Sequence, residues 1–253
     1  MTGCLSLFPL VRSHKREKWG CAYDCWVMEN MLKIDGKTIA KKIIEELKKL
    51  PKPDKILAAV FVGRDESSAA FLRRKEVIAK ELGVQFRLYQ LDDNISQEEL
   101  EKKVEEISND ERVGGLIVQL PLPKRFDRDG VLAKINPKKD VDALTDQSSV
   151  EAPVIGVVKA ILYDLGLKIY DLRMIAVVGK GLLVGRPIIR WLEKETRNPL
   201  RLRSEASKRQ ETRDGGRGTR LKVADSGTKN LQEFLSDADL IITGVGKAGL
   251  IKP

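Results

Sequence analysis

Two stretches of the chain alternate compact apolar runs with segments whose apolar residues recur every three or four positions. In the first, ILAAVFV (56–62), QFRLYQL (85–91) and GGLIVQL (114–120) predict strands, and SSAAFLRRKEVIAKEL (67–82) and SQEELEKKVEEISN (96–109) predict helices. Ser96 and Glu99 open the second helix at the spacing of a capping box. In the second stretch, helices are predicted over 154–167, 184–195 and 228–237, and strands over 173–178, 221–225 and 238–246. Such alternation predicts an α/β fold of parallel sheets joined by right-handed crossovers. The later series reads β-α-β-α-β, half of a nucleotide-binding fold. At 253 residues the chain is expected to form two domains, 31–150 and a Rossmann-like 151–253.

Three segments break the pattern. Residues 1–30 have neither helical nor strand periodicity, and their apolar piece CLSLFPLV lacks a preceding basic region and carries a proline, so it makes a poor secretory signal. They are expected to be a disordered extension, either a basic targeting arm or sequence lying in front of a start at Met31. Residues 196–220 are dense in Arg, Gly and Ser and fall where an α/β connection usually takes about 2 to 6 residues, which predicts a disordered basic insertion. The chain stops at GLIKP, straight after a strand and its turn, where a doubly wound sheet would continue; a truncated C terminus is expected.

Composition narrows the function classes. No apolar run approaches the roughly 18 residues of a membrane helix, so a soluble protein with no membrane partner is expected. The formal charge is +9, but residues 194–222 hold ten Lys or Arg against four acids, a net of +6. With the excess confined to one segment poor in aromatic residues, no nucleic-acid groove is expected. All three cysteines, Cys4, Cys21 and Cys25, and the single histidine, His14, precede residue 30. That leaves the folded body no Cys or His for catalysis and no metal site, and it fits a cytoplasmic protein.

Four places carry candidate chemistry. VVGKGLLVGRP (177–187) runs from a strand through a glycine turn into a helix, but Gly179, Gly181 and Gly185 are spaced G-x-G-x-x-x-G, one position longer than the common dinucleotide fingerprint. Phe71, Lys75, Ile78 and Leu82 follow i, i+4, i+7, i+11, which predicts Lys75 on the apolar face of its helix. A partly desolvated amine there suits proton transfer; a lysine that snorkels to water is the alternative. Gln119 stands where VQLPLP leaves its strand, beside Leu120 and Pro121, at the carboxyl edge where α/β proteins bind ligands; a rigid proline turn is the other reading. In KKDVDAL, Asp140 and Asp142 either cap a turn or recognise a donor-rich heterocycle.

Taken in order, DGKTIA (35–40), the helix SSAAFLRRK, VQLPLP (118–123), NPKKDVDAL (136–144), VVGKGLLVGRP, TKNL and ADLIITGVGKAGLIKP resemble the bifunctional methylenetetrahydrofolate dehydrogenase/methenyltetrahydrofolate cyclohydrolase family. The resemblance covers Met31 to about Glu195 and Lys222 to Pro253, so residues 1–30 lie outside it. It implies a folate-binding catalytic domain at 31–150 and a nucleotide-binding domain at 151–253, with a cleft between them. It further implies oxidation of 5,10-methylenetetrahydrofolate to the methenyl form with NAD(P)+, then hydrolysis to 10-formyltetrahydrofolate. In this family Lys75 matches the catalytic lysine, Gln119 the glutamine that hydrogen-bonds it, and Asp142 the aspartate gripping the pterin. Phe71, Leu120 and Pro121 fall among the substrate-binding positions. Gly179, Lys180, Gly181, Val184, Gly185, Ser226 and Gly244 fall among the cofactor positions. Tetrahydrofolate derivatives are the implied ligands and a homodimer the implied assembly.

The chain departs from the family's pattern in places. Phe71 stands where the family usually has Tyr, and EAPV (151–154) where it has P-C-T-P. Lys180 suits the 2′-phosphate of NADP, the cofactor the resemblance favours. Asp225 favours NAD, because an acid at the second strand tip accepts from a free ribose hydroxyl. Asp225 lies 46 positions beyond Gly179, against the usual 20 or so, but removing the roughly 25 residues of 196–220 restores the spacing. A non-catalytic nucleotide- or folate-binding protein is the alternative. Another two-domain dehydrogenase is disfavoured, since a small acid substrate calls for Arg or Lys clamps where Gln119 and the KDVD stretch stand.

Overall fold

The structure, a computed structural model, describes residues 6–9, 34–197, 219–247 and 249–250, the side chains of 6–9 and of Arg197 excepted. The chain divides into two compact units: Lys37–Gly156 is one, and Met1–Gly36 with Val157–Pro253 is the other. The division falls after Gly156 and not at residue 150, inside a helix that runs from one unit into the other.

The chain enters through a short strand, β1 (Ser6–Pro9), which belongs to the second unit. The first unit follows as α1 (Gly36–Leu47), β2 (Ile56–Val62), α2 (Glu66–Glu81), β3 (Phe86–Leu91), α3 (Gln97–Asn109), β4 (Val113–Val118) and a short α4 (Arg128–Leu132). Its three strands pair in parallel in the order β3-β2-β4. Because helices lie on both faces, β2 is an almost unbroken apolar run rather than an alternating one. Ala58, Val60 and Val62 pack with Leu100, Val104 and Ile107 of α3 and with Val131 and Leu132 of α4. Ala59 and Phe61 point the other way, onto Leu72 of α2. Both helices start where their caps dictate: the Asp65 carboxylate accepts from the Ser68 amide at 2.7 Å, and Ser96 and Glu99 form the predicted reciprocal box. The sequence pattern did not announce α1 or α4.

The second unit contains α5 (Pro153–Asp164), shared at its start with the first, then β5 (Met174–Val178), α6 (Gly185–Arg197), β6 (Arg220–Ala224), α7 (Leu231–Leu235) and β7 (Leu240–Thr243). Its sheet order is β1-β7-β5-β6, with β7, β5 and β6 parallel. Helix α7 is shorter than the predicted 228–237, because the Asn230 side chain accepts from the Glu233 amide and starts the helix there.

Two expectations are corrected. Residues 1–30 are not disordered throughout: β1 pairs antiparallel with β7, Ser6 opposite Thr243 and Pro9 opposite Leu240. The outer edge of β7 presents main-chain donors and acceptors that need partners, and the SLFP stretch supplies them. The basic insertion is also narrower than 196–220. Helix α6 continues to Arg197, while the Thr219 hydroxyl donates to the Ile169 and Leu172 carbonyls and Arg220 already belongs to β6. The rest of that insertion, 198–218, lies outside the described residues.

The two sheets share one topology. In each, the first strand of the β-α-β-α-β series sits between the other two. The chain therefore leaves it in opposite directions, and a crevice opens at the carboxyl ends of β2 and β4 and, separately, of β5 and β7. Among the described residues, no helix is long and apolar enough to cross a membrane.

Candidate active site

The buried stripe of α2 is Ser68, Leu72 and Ala79, while Phe71 and Ile78 are 41% and 37% exposed. The face predicted from Phe71, Ile78 and Leu82 is thus rotated: Leu72 is the side chain that packs on Ala59 and Phe61 of β2, with Ser68 and Ala79 along the same stripe. Lys75 still completes the buried stripe, at i+7 from Ser68. Its ammonium donates to Oδ2 of Asp142 at 2.9 Å, and the two side chains are only 22% and 24% exposed. The Phe71 ring lies 5.1 Å from the same nitrogen, within cation–π range. Among the described residues, Oδ1 of Asp142 accepts no hydrogen bond, so the carboxylate keeps acceptor capacity for a ligand.

The paired aspartates have separate roles. Asp140 is 1% exposed and accepts from the amides of Leu144 and Thr145 and from the Thr145 hydroxyl at 3.0, 2.8 and 2.7 Å. It is the turn cap, and the loop it fixes carries Asp142 to Lys75. Directly after Asp142, Ala143 adopts φ 49°, a left-handed conformation uncommon for a residue with a Cβ. Gln119 is buried one residue past β4, its amide N–H still paired to the Val60 carbonyl at 2.9 Å. The expected bond to Lys75 is absent among the described residues. The Gln119 side chain instead donates to the Leu120 carbonyl at 2.7 Å, the acceptor nearest to it where the strand ends. Leu120 is half-buried and Pro121, joined to it by a cis bond, is exposed. A hollow of about 650 Å3 along α2 is lined by Phe61, Arg64, Leu72, Arg73, Phe86 and Leu88 and includes neither Lys75 nor Asp142. The site is marked by its paired charges, not by that hollow.

In the second unit, the predicted cofactor positions lie at the carboxyl ends of β5, β6 and β7. Gly179 ends β5 with φ +99°, and its amide donates to the Ala224 carbonyl of β6 at 2.8 Å. A Cβ on Gly185 would stand 2.7 Å from the Gly179 carbonyl carbon and 3.0 Å from Lys180 Cα, so α6 starts hard against the glycine turn. Gly244 follows β7, with its amide on the Val178 carbonyl at 3.1 Å, and a Cβ there would press on Val184 at 2.7 Å. Gly181 faces open space, and Ser226 is exposed in the turn after β6.

One contact in this group was not foreseen. The Lys180 ammonium donates to Oδ2 of Asp225 at 2.6 Å, while Oδ1 accepts from the Gly227 amide at 3.0 Å. Lys180 first, then the Gly227 amide, hold the Asp225 carboxyl below its ordinary value. The two residues lie 45 apart in sequence, so no local signal links them.

Fold and residues together define a class: α/β proteins with an amine–carboxylate pair beside one sheet and a dinucleotide-type glycine turn on another. Residues 34–142 match the family described as tetrahydrofolate dehydrogenase/cyclohydrolase, catalytic domain. The chain is 31% identical over 236 residues to the bifunctional protein FolD of Campylobacter concisus, covering 87% of this chain and 75% of that one. The crystal structure of the bifunctional FolD enzyme of Campylobacter jejuni superposes with a TM-score of 0.70 at 26% identity, covering 86% of this chain and 75% of that one. The fold is also that of the Trypanosoma brucei FolD structure complexed with NADP cofactor and inhibitor, with a TM-score of 0.72 at 23% identity over 87% and 73% of the two chains. The chain belongs to the bifunctional methylenetetrahydrofolate dehydrogenase/cyclohydrolase family.

Proposed function

We propose that the chain oxidises 5,10-methylenetetrahydrofolate to 5,10-methenyltetrahydrofolate with a nicotinamide dinucleotide and hydrolyses the product to 10-formyltetrahydrofolate. The observation that carries this reading is the Lys75–Asp142 pair, a three-quarters buried amine and carboxylate at 2.9 Å. Asp142 presents Oδ1 to the N–H donors of a pterin and orients the amine through Oδ2. Lys75 moves the proton as water adds to the methenyl carbon and the ring opens, a general acid–base role worth roughly 10²- to 10⁴-fold in rate. Phe71 offers its ring face to the ammonium and to a flat heterocycle alike.

When bound, the dinucleotide supplies the hydride acceptor. Gly185 lets α6 start hard against the glycine turn, and since Arg186 and Ile188 donate to the Gly181 and Val184 carbonyls and Pro187 has no N–H, the Gly185 amide is the one at the start of α6 left to meet a phosphate. The family resemblance favours NADP, and family membership supports a homodimer. Lys75→Met tests the assignment: methenyltetrahydrofolate hydrolysis, followed by absorbance, is expected to fall at least about 100-fold while folate binding persists. Wild-type hydrolysis in that variant refutes it.

A further inference from the structure

The family's cofactor expectation and this chain's own residues disagree at one point. NADP differs from NAD by a phosphate on the adenosine 2′ oxygen, which carries about −1.5 to −2 near neutral pH. To hold it, a site needs a cation with no other claim on it. Lys180 is the residue in the glycine turn placed to provide one, but its ammonium is already joined to Asp225.

Asp225 is held where a ribose is met in folds of this topology, at the tip of the second strand beside the first glycine. Its position follows from the sheet: Val178 pairs with Ala224, and the Gly179 amide donates to the Ala224 carbonyl. Asp225 is therefore the next residue along from Gly179's partner, although it lies 46 positions beyond Gly179 in sequence. Its carboxylate accepts from Lys180 at 2.6 Å and from the Gly227 amide at 3.0 Å, and its main chain is tied by the Asp225 amide, which donates to the Thr228 hydroxyl at 3.1 Å. A carboxylate with two hydrogen bonds retains lone pairs for two more donors, the number a ribose with free 2′ and 3′ hydroxyls offers. A 2′-phosphate has no proton to give it and would meet the negative charge directly.

We propose that the Lys180–Asp225 pair selects NAD over NADP, with Asp225 accepting from the ribose hydroxyls and Lys180 holding the carboxylate in place. This rests on the dinucleotide reading above and reverses its NADP preference. The glycine turn fits either cofactor; the strand tip fits only the one without the extra phosphate.

Calorimetric titration of the full chain with NAD+ and NADP+, with no folate present, tests the proposal by binding alone. NAD+ is expected to bind at least tenfold more tightly. Asp225→Ser, which frees Lys180 and removes the carboxylate, is expected to weaken NAD+ and strengthen NADP+, shifting their ratio at least tenfold. Adding Lys180→Met to Asp225→Ser is expected to abolish the gain for NADP+. Equal or tighter binding of NADP+ by the wild-type chain overturns the proposal and leaves the dinucleotide reading standing, as does an unchanged ratio in Asp225→Ser. Binding of neither cofactor overturns both. Asp225 and Lys180 are exposed, so far-UV circular dichroism of each variant is expected to match the wild type, and the wild-type comparison stands without any variant.

Discussion

Replacing Gly185 with Ala puts the glycine turn under a defined strain. The added Cβ would lie 2.7 Å from the carbonyl carbon of Gly179 and 3.0 Å from Cα of Lys180, and closer still to the Gly179 carbonyl oxygen. Ordinary contact begins near 3.4 Å, so the start of α6 must move back by more than half an ångström. None of these neighbours is a side-chain tip that can swing aside. Gly179 is held by the hydrogen bond its amide donates to the Ala224 carbonyl, and α6 is anchored by Ile188 and Leu192, both fully buried. Overpacking of this kind costs about 1–3 kcal/mol, and a backbone obstacle places the cost near the top of that range. For the second unit, Met1–Gly36 with Val157–Pro253, ~3 kcal/mol corresponds to a fall in Tm on the order of 10 °C. Differential scanning fluorimetry with and without NAD+ reads both consequences: a lower Tm and loss of the cofactor-dependent rise. Gly181→Ala is the control, since nothing lies within 4 Å of its Cβ and its Tm without cofactor is expected to stay within about 2 °C of wild type. A Gly185→Ala protein with wild-type Tm and a wild-type response to NAD+ would refute the close-packed turn.

Two further outcomes follow from single carboxylates. Asp140→Ala leaves two part-buried amides and a hydroxyl without their acceptor, so urea denaturation is expected to show a loss of about 2 kcal/mol, accompanied by weaker folate binding as Asp142 drifts from Lys75; unchanged stability with normal binding would contradict the turn-cap role. Asp110 is held down to about 2 by the side chain of Arg112 and then its amide, so its contribution to stability is fully present above its unfolded value of 3.8 and is lost as pH falls through about 2. Carboxyl-carbon NMR titration is expected to find that value in the wild type and one nearer 3.8 in Arg112→Ala.

Features that depend on neighbours a few residues away were readable from the order of residues. The core strands emerged from apolar runs, the start of α3 from Ser96 and Glu99, and the turn after β5 from the glycine-rich run between a strand and a helix, because each is governed by main-chain geometry over one or two turns of chain. The short helix α7 shows the limit even there: its periodicity extends over 228–237, yet the Asn230 cap decides where it starts.

Contacts between distant segments had no such signal. The buried face of α2 was set by what meets β2 across the sheet: Leu72 packs on Ala59 and Phe61, with Ser68 and Ala79 on the same stripe, and Phe71 and Ile78 are left exposed. Lys75 found Asp142, 67 positions away, because Asp140 ties the intervening loop; Gln119 found the adjacent Leu120 carbonyl instead. Lys180 and Asp225 met because β5 and β6 pair in parallel, and β1 joined β7 because a sheet edge accepts any strand of suitable length. Periodicity reports that an element has an apolar side; on α2 even the exact face was decided by the sheet it packs on. Which group it meets there is settled only when the sheet order brings remote segments together.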